Sequence, residues 1–262
     1  MSVPRLAVVL PCWNAAPYLD RALASLAAQT FTDFEVIAVD DGSTDETPRL
    51  LEAWARQDAR LRWLRRAHEG LVAALNAGLE QIRAPLVARM DGDDMAHPRR
   101  FAWQVALLDS RPDVTVAGGL VRCFPRARVA AGMRRYERWL NSVRSHEEIV
   151  RDLFVESPLA HPGVMMRSQA VAQAGGYRAV GWPEDYDLWF RLHQAGARFE
   201  KVPTWCSGGA NARRGRAGDR RSTLRASSGA ARCTTSSSFI STRAPLWRCG
   251  GRGKRGARWA NT

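Results

Sequence analysis

Between residues 5 and 90 the chain alternates four times between a short apolar run and a stretch with helical spacing, and few folds accommodate that order. The runs at 5–11, 34–39, 61–64 and 85–90 read as strands, and the first two are mostly apolar, as strands buried on both faces are. After the first, residues 17–28 place Leu19, Ala22, Leu23 and Leu26 on one helical stripe. After the second, Thr44 or Asp45 stands where a helix cap is needed, with Pro48 in the first turn and Leu50, Leu51 and Trp54 inward. After the third, residues 70–82 align Leu71, Leu75 and Leu79. Strands joined by helices through short connections run parallel with right-handed crossovers. The expectation is an α/β domain, a mostly parallel central sheet flanked by helices, with functional groups just beyond the carboxyl ends of the strands. Two acidic clusters fall there, Asp40-Asp41 and Asp91-Gly92-Asp93-Asp94.

The order continues less regularly. Residues 97–108 read as a helix, 114–118 as a strand, and 120–145 as an arginine-rich irregular stretch, a hairpin or mobile loop. Short elements follow at 147–154, 163–167 and 168–174, then a strong helix at 184–195 with Leu188, Trp189 and Leu192 inward, and a last strand at 199–202. After Thr204 the periodicity stops. Residues 205–262 hold three Leu or Ile and no Val against nine Gly and eight Ser, too little apolar surface to offset chain entropy, so disorder is expected.

Charge divides at the same place. Of the net +13, residues 1–204 carry 26 Lys+Arg against 25 Asp+Glu, and residues 205–262 carry 13 against one. The basic character belongs to the tail, so no specific nucleic-acid partner is expected for the domain. Only two of the 39 Lys+Arg are lysine, which points to a GC-rich coding sequence. The abrupt change after a core strand reads as an out-of-frame segment; a native basic tail for RNA or anionic lipid is the alternative. The division is therefore 1–204 as the catalytic domain and 205–262 as a low-complexity tail. No 18-residue apolar run or signal-peptide plan occurs, and the five cysteines lack zinc spacing. Isolated free thiols in a reducing cytoplasm are expected.

Each acidic motif has a structural reading beside its functional one. Clustered carboxylates such as Asp91, Asp93 and Asp94 repel unless a cation neutralises them, and hard oxygen ligands suit Mg²⁺ or Mn²⁺. Gly92 lets the backbone approach a ligand closely. The structural reading is a solvated loop or a helix cap by Asp94. Asp40 or Asp41 is able to accept a nucleobase N–H, and Asp-Asp-Gly-Ser is equally good turn chemistry. Glu184-Asp185 opens a helix, where the dipole favours acids, keeps a carboxylate ionised and leaves a plausible general base. Asp187 reads as part of the same helix start. His161 is as readily a structural hydrogen-bonding residue as a phosphate or metal contact. Trp182 either stacks on an acceptor sugar or packs, His68 reads as a surface residue, and Arg65 and Arg66 read as partly solvated, with an approach of one of them to a nucleotide as the alternative.

Together these motifs resemble the family 2 glycosyltransferases of the GT-A fold. The matching segments are Val8-Val9-Leu10-Pro11-Cys12-Trp13-Asn14, Val39-Asp40-Asp41-Gly42-Ser43-Thr44-Asp45, Ala74-Leu75-Asn76-Ala77-Gly78, Met90-Asp91-Gly92-Asp93-Asp94, His161-Pro162 and Glu184-Asp185-Tyr186-Asp187-Leu188-Trp189. Their order and spacing fit over about residues 5–203. The resemblance implies a single GT-A domain, with about 5–110 binding the nucleotide sugar and about 111–204 holding the acceptor and the base. It implies an inverting mechanism, with Pro11, Cys12, Trp13, Asn14, Asp40, Asp41, Asn76 and Asp91 around a donor, usually UDP-linked. Asp91 and Asp93 would hold Mn²⁺ or Mg²⁺ at the diphosphate, and Asp185 matches the base. His161, Trp182 and Glu184 are candidate acceptor or phosphate contacts. A bacterial surface-polysaccharide or glycolipid pathway is implied, with a saccharide or lipid-linked saccharide acceptor and a cytoplasmic location that includes peripheral contact with an anionic membrane. The family usually continues past the last strand with helices that close the acceptor side, which residues 205–262 do not match. The competing readings are a nucleotidyltransferase, which lacks its Gly-rich phosphate loop here, an inactive truncated chain, and a basic-tailed RNA- or lipid-binding protein.

Overall fold

The computed structural model describes residues 3–209, and expectations for 210–262 lie outside them. The first half alternates as the sequence predicts. It runs β1 (Leu6–Cys12), α1 (Ala16–Ala27), β2 (Phe34–Asp41), α2 (Thr47–Gln57), β3 (Leu61–Arg66), α3 (Leu71–Glu80) and β4 (Leu86–Arg89). β1 pairs in parallel with β2 and β4, and β2 with β3. The sheet is covered on both sides, which explains why β1 and most of β2 are apolar. Leu6, Val8 and Leu10 pack with Leu19, Leu23 and Leu26 of α1 on one face. Ala7 and Val9 belong to the clusters on the other face, with Ala74 and Leu75 of α3. Each buried Leu or Val contributes about 1.5–3 kcal/mol relative to exposure, so the two-sided burial is the main force setting strand register.

The second half is β5 (Asp94–Ala96), α4 (Arg100–Ser110), β6 (Val114–Val121), α5 (Ala131–Ser142), α6 (His146–Asp152), β7 (Met165–Arg167), α7 (Ser168–Gln173), α8 (Glu184–Gln194) and β8 (Arg198–Gly209). The eight strands lie in the order β3-β2-β1-β4-β7-β6-β8-β5. β7 runs antiparallel to both β4 and β6, and β8 runs parallel to β6. The crossover sense reverses at β1 and β4: α1 carries the chain outward from β1 to β2, and α3 returns it to β4. In such sheets ligands bind outside the carboxyl ends at that reversal.

Three expectations need correction. The arginine-rich stretch contains α5 rather than a loop or hairpin. Its inward residues are Met133, Glu137 and Leu140, and Glu137 hides the helical stripe because it is charged. Burial is tolerated because its carboxylate accepts the Cys123 backbone N–H at 2.8 Å and pairs with Arg126 at 2.7 Å. The last strand does not stop at Thr204. It continues to Gly209, where Ser207, Gly208 and Gly209 pair with Ala96, Met95 and Asp94. Asp94 therefore begins a strand and caps no helix. Finally, Cys12 and Cys206 are free, as expected, but Cys123 is disulfide-bonded. No helix among the described residues is long and apolar enough to cross a membrane.

Lys201 of β8 is buried, and its Nζ donates to the Leu140 carbonyl in the last turn of α5 at 2.6 Å. Burial, with Arg144 adding to it, lowers its pKa to about 7. A depressed folded-state pKa means that the folded protein binds fewer protons than the unfolded chain between pH 7 and 10.5. Lys201 therefore weighs against folding progressively as pH falls through that window. In thermal unfolding, Lys201→Met is expected to gain stability relative to the parent from pH 10.5 down to 7 and to hold the difference below it.

Candidate functional site

The carboxyl ends of β1 and β2 are joined by a lattice of short contacts. Asn14 adopts a left-handed φ of 49°. Its backbone N–H donates to Ser43 Oγ at 2.9 Å, and its Oδ1 accepts the Thr44 N–H at 2.9 Å. Ala15 N–H reaches Thr47 Oγ1, and Ala16 N–H reaches Asp45 Oδ2. Asp45 also accepts from Thr47 N–H at 3.0 Å at the start of α2, whose N-cap residue, Glu46, makes no side-chain capping bond. Thus Asp45, one of the two cap candidates, braces both helices.

Asp40 and Asp41 are both buried. Asp40 Oδ1 accepts the Ser43 N–H at 3.0 Å, and its Oδ2 lies 3.2 Å from Arg65 Nε. Asp41 accepts the Glu69 and Gly70 N–H groups at 3.1 and 2.8 Å, and its Oδ2 is 2.8 Å from His68 Nδ1. Both acids therefore shape turns, as the structural reading held. Gly42 sits at φ 70°, and a Cβ there would come within 2.8 Å of the His68 backbone N. His68 is no idle surface residue: its ring stacks on Trp13 at a centroid distance of 4.5 Å and 15° between planes. Trp13 is 47% exposed, so the pair offers an open aromatic face beside the β1 end.

Beyond β4 lies the acidic motif. Asp91 and Asp94 are buried and Asp93 is half-buried. Asp91 Oδ1 pairs with Arg89 Nη1 at 2.5 Å. Gly92 is close-packed against the protein itself, since a Cβ would meet Ala15 Cβ at 3.2 Å and Cys12 Sγ at 3.4 Å. Cys12 senses the field here: burial pushes its thiol pKa far up, and Asp40, Asp91, Asp93 and Asp45 add to the rise. Among the described residues no three His, Cys, Asp or Glu side chains form a ready cage for a metal. Hard oxygen donors in a concentrated negative field fit a divalent cation that takes few protein ligands and completes its shell on phosphate.

The start of α8 forms the other side. His161 is fully buried, its Nε2 2.9 Å from Tyr177 Oη and its Nδ1 3.4 Å from Glu184 Oε1. Burial works against Glu184's charge, but the His161 contact outweighs it and lowers its pKa. Asp185 behaves oppositely. Burial, reinforced by Glu184, raises its pKa, although His161, the Tyr186 N–H bond and Arg89 pull the other way. The lowering of the Asp185 pKa expected from the helix dipole is not found, because burial acts the other way. Asp187 pairs with Arg191 within the helix, at 2.7 Å. Trp182 is exposed and stacks on Phe190 at 5.9 Å. Asn76 lies apart from the β1–β2 lattice: its amide donates to the Tyr177 carbonyl and accepts the Tyr177 N–H, both at 2.9 Å.

A family model for glycosyl transferase family 2 matches residues 7–176. The chain belongs to that family. It is 32% identical over 186 residues to the amylovoran biosynthesis glycosyltransferase AmsE of Erwinia amylovora, covering 71% of this chain and 67% of that one. It is 28% identical over 202 residues to an Escherichia coli UDP-Gal:alpha-D-GlcNAc-diphosphoundecaprenol beta-1,3-galactosyltransferase, covering 76% and 71%. Among solved structures, the mannosyltransferase PcManGT of Pyrobaculum calidifontis, in complex with GDP-Man and Mn2+, superposes with a TM-score of 0.64 at 22% identity over 82% of this chain and 59% of that one. S. aureus TarS 1-349 superposes with a TM-score of 0.63 at 19% identity over 79% and 60%. These structures show the GT-A fold, and both extend well beyond the part they share with this glycosyltransferase.

Three residues of this transferase's site escape sequence reasoning. His68, Arg89 and Tyr177 are single residues outside the acidic motifs. Arg89 alone left a signal: a charge inside the run Leu86-Val87-Ala88-Arg89-Met90, directly before the acids. The position of Asn76 predicts a brace for the Tyr177 segment. Asn76→Ala is expected to lose about 1–3 kcal/mol in urea unfolding while UDP affinity, measured by calorimetry, stays unchanged. Lost affinity without lost stability would return Asn76 to the donor pocket.

Proposed function

We propose that this glycosyltransferase moves a sugar from a nucleoside-diphosphate sugar, UDP-linked, to a hydroxyl with inversion at the anomeric carbon. The acceptor is a saccharide or lipid-linked saccharide of bacterial cell-surface polysaccharide or glycolipid assembly. The pathway rests on the relatives' names, which include amylovoran biosynthesis and transfer to a diphosphoundecaprenol-linked sugar. The observation that carries the mechanism is Asp185: a buried carboxylate at a helix start whose proton affinity is raised in a network with His161, Glu184 and Arg89. A base works best when its pKa approaches the operating pH while it stays deprotonated.

In this reading the base rests against Trp13 near the ends of β1 and β2, with Asp40 or Asp41 taking its N–H. Asp91 and Asp93 would hold Mn²⁺ or Mg²⁺, which when bound neutralises charge on the leaving diphosphate. Asp185 takes the proton of the acceptor hydroxyl as that oxygen bonds the anomeric carbon from the face opposite the diphosphate. The bond to the diphosphate oxygen breaks in the same step, and the electron pair leaves with it. Glu184, kept ionised by His161, orients the neighbouring ring and acceptor rather than accepting the proton. Trp182, exposed beside this helix, supplies a stacking face for the acceptor.

Two outcomes test the assignment. Asp185→Asn abolishes transfer in a nucleotide-sugar screen while UDP binding persists; loss of UDP affinity in that variant would remove the base role. The raised pKa of Asp185 also means that its ionised form weighs against the fold, so its contribution is unperturbed below the ordinary value of 3.8 and turns unfavourable as pH rises through the higher folded-state value. Asp185→Asn should therefore unfold at a higher temperature than the parent at neutral pH, with the gain vanishing near pH 3.8. Asp93→Ala weakens Mn²⁺-dependent UDP binding; unchanged metal dependence would remove Asp93 as a ligand.

A further inference from the structure

Between Val121 and Val143 the chain carries six arginines and one acid, Glu137. Glu137 is buried and taken up by the Cys123 N–H and Arg126. That fixes the rotation of α5 and turns Ala131, Arg134, Arg135 and Arg138 outward at helical spacing, all four exposed. The ion pair of this stretch among the described residues is Arg126–Glu137, which leaves those three arginines without an acid. With Arg126 and Ala131 they line a depression of about 410 Å³ that has no acidic wall. Ala131 is also the first residue of α5, where Ala130 supplies no capping side chain and the first turn holds no acid. The unsatisfied N–H groups there add to the positive field. Like charges gathered without counter-charge make a place for anions.

A second feature lies on the neighbouring turn. Trp139 of α5 donates its indole N–H to Asp152 Oδ2 at the end of α6, at 3.0 Å. Leu153 is buried, and its carbonyl accepts the Tyr186 hydroxyl of α8. The Val155 and Glu156 N–H groups both return to the Asp152 carbonyl, at 2.9 and 3.1 Å. This closed turn holds Phe154 and Val155 outward, 69% and 79% exposed. The Phe154 ring lies 5.3 Å from that of Phe190, on which the exposed Trp182 also stacks. Adjacent large apolar side chains on a fixed turn are unfavourable in water and favourable at a bilayer interface, beside arginines and aromatic rings. A soluble phosphate would use the arginines alone; the apolar turn favours lipid.

We propose that the outer face of α5 and the Phe154-Val155 turn form a docking surface for an anionic phospholipid bilayer. The arginines meet headgroup phosphates, and the turn enters the interface. The inference deepens the reading of a lipid-linked acceptor and rests on that reading for its purpose. α8, which begins with the Glu184-Asp185 pair, is tied to this turn through Tyr186 and Phe190, so docking holds the acceptor side at the bilayer.

The test sediments the full chain with vesicles of phosphatidylglycerol and phosphatidylcholine in equal parts, or of phosphatidylcholine alone. The parent is expected to bind the first and not the second, and less as salt rises. Residues 205–262 are basic as well, so a local readout is needed. Hydrogen exchange in 131–142 and 153–157 is expected to slow on the anionic vesicles. Arg134→Gln/Arg135→Gln/Arg138→Gln is expected to lower the vesicle partition about tenfold or more, since each arginine near such a surface is worth about fivefold. Phe154→Ser/Val155→Ser is expected to lower it severalfold, and UDP affinity with Mn²⁺ stays at the parent value in both variants. Parent-like partition in either folded variant overturns the proposal. So does unchanged exchange in both segments of the parent on anionic vesicles, a measurement that needs no variant. Slowed exchange in 131–142 with single-stranded RNA and none with vesicles would overturn it in favour of nucleic acid. If the parent binds neither UDP nor UDP-sugars, the transferase reading fails instead, and vesicle binding still reports on this surface.

Discussion

Carboxylates at positions 40, 41, 91 and 185 sit almost entirely out of water at one edge of the sheet, and an ionised group stays there only where donors meet it. Some partners lie within three residues of their acid and others come from β3 and the turn after it, more than twenty residues away. Ser43 N–H and Arg65 serve Asp40, two amides before α3 and His68 serve Asp41, Arg89 serves Asp91, and the first turn of α8 serves Asp185. Each pairing orders a loop that would otherwise be held only by its ends. The loops of this edge are therefore braced by the acids they surround. Removing one partner leaves a buried charge uncompensated, which costs more than the pair contributes when intact.

β4 joins the two parts of this arrangement. On one side it runs parallel to β1, and on the other antiparallel to β7. The parallel side belongs to the strand–helix half that carries Pro11 to Asn14 and the Asp40-Asp41 turn. The antiparallel side leads to the His161–Gly163 turn and, through Tyr177 and Glu184, to α8. A side chain at the end of β4 is thus the nearest point common to both halves, and the chain places an arginine there. Asn76 adds a second link, since α3 of the first half holds the backbone of Tyr177, whose hydroxyl contacts His161.

Where burial and periodicity coincide, the sequence is readable. The elements from β1 to β4 were legible to within a few residues because β1 and most of β2 and β4 are apolar runs covered on both faces, with helical spacing between them. The next half is legible in patches, for reasons seen in particular residues. α5 is hidden because Glu137 occupies a core position. β5 is three residues long and exists only through Ser207 to Gly209, which come from a stretch whose composition signals nothing. At the site, the acidic motifs are legible because carboxylates in clusters are rare without cause. Their partners are not: an arginine, a histidine or a tyrosine declares nothing until the fold brings it to the acid, as with Arg89 and Asp91, or His68 and Asp41. Asn76, a residue in a family motif, has its amide bonded to the Tyr177 backbone.

Glu184 and Asp185 are adjacent in sequence, share one helix start and feel nearly the same dipole, yet their proton affinities move in opposite directions. The dipole therefore does not decide between them. His161 does, together with burial: its Nδ1 faces Glu184 Oε1 and holds that carboxylate ionised, while Asp185 has one local amide and more desolvation. Separating two neighbouring carboxylates in this way gives them different proton affinities, and this difference is what the proposed division into a fixed charge and a proton acceptor relies on. His161 is fixed in turn by Tyr177, and Tyr177 by Asn76, so the difference between the two acids is written into residues as far away as α3.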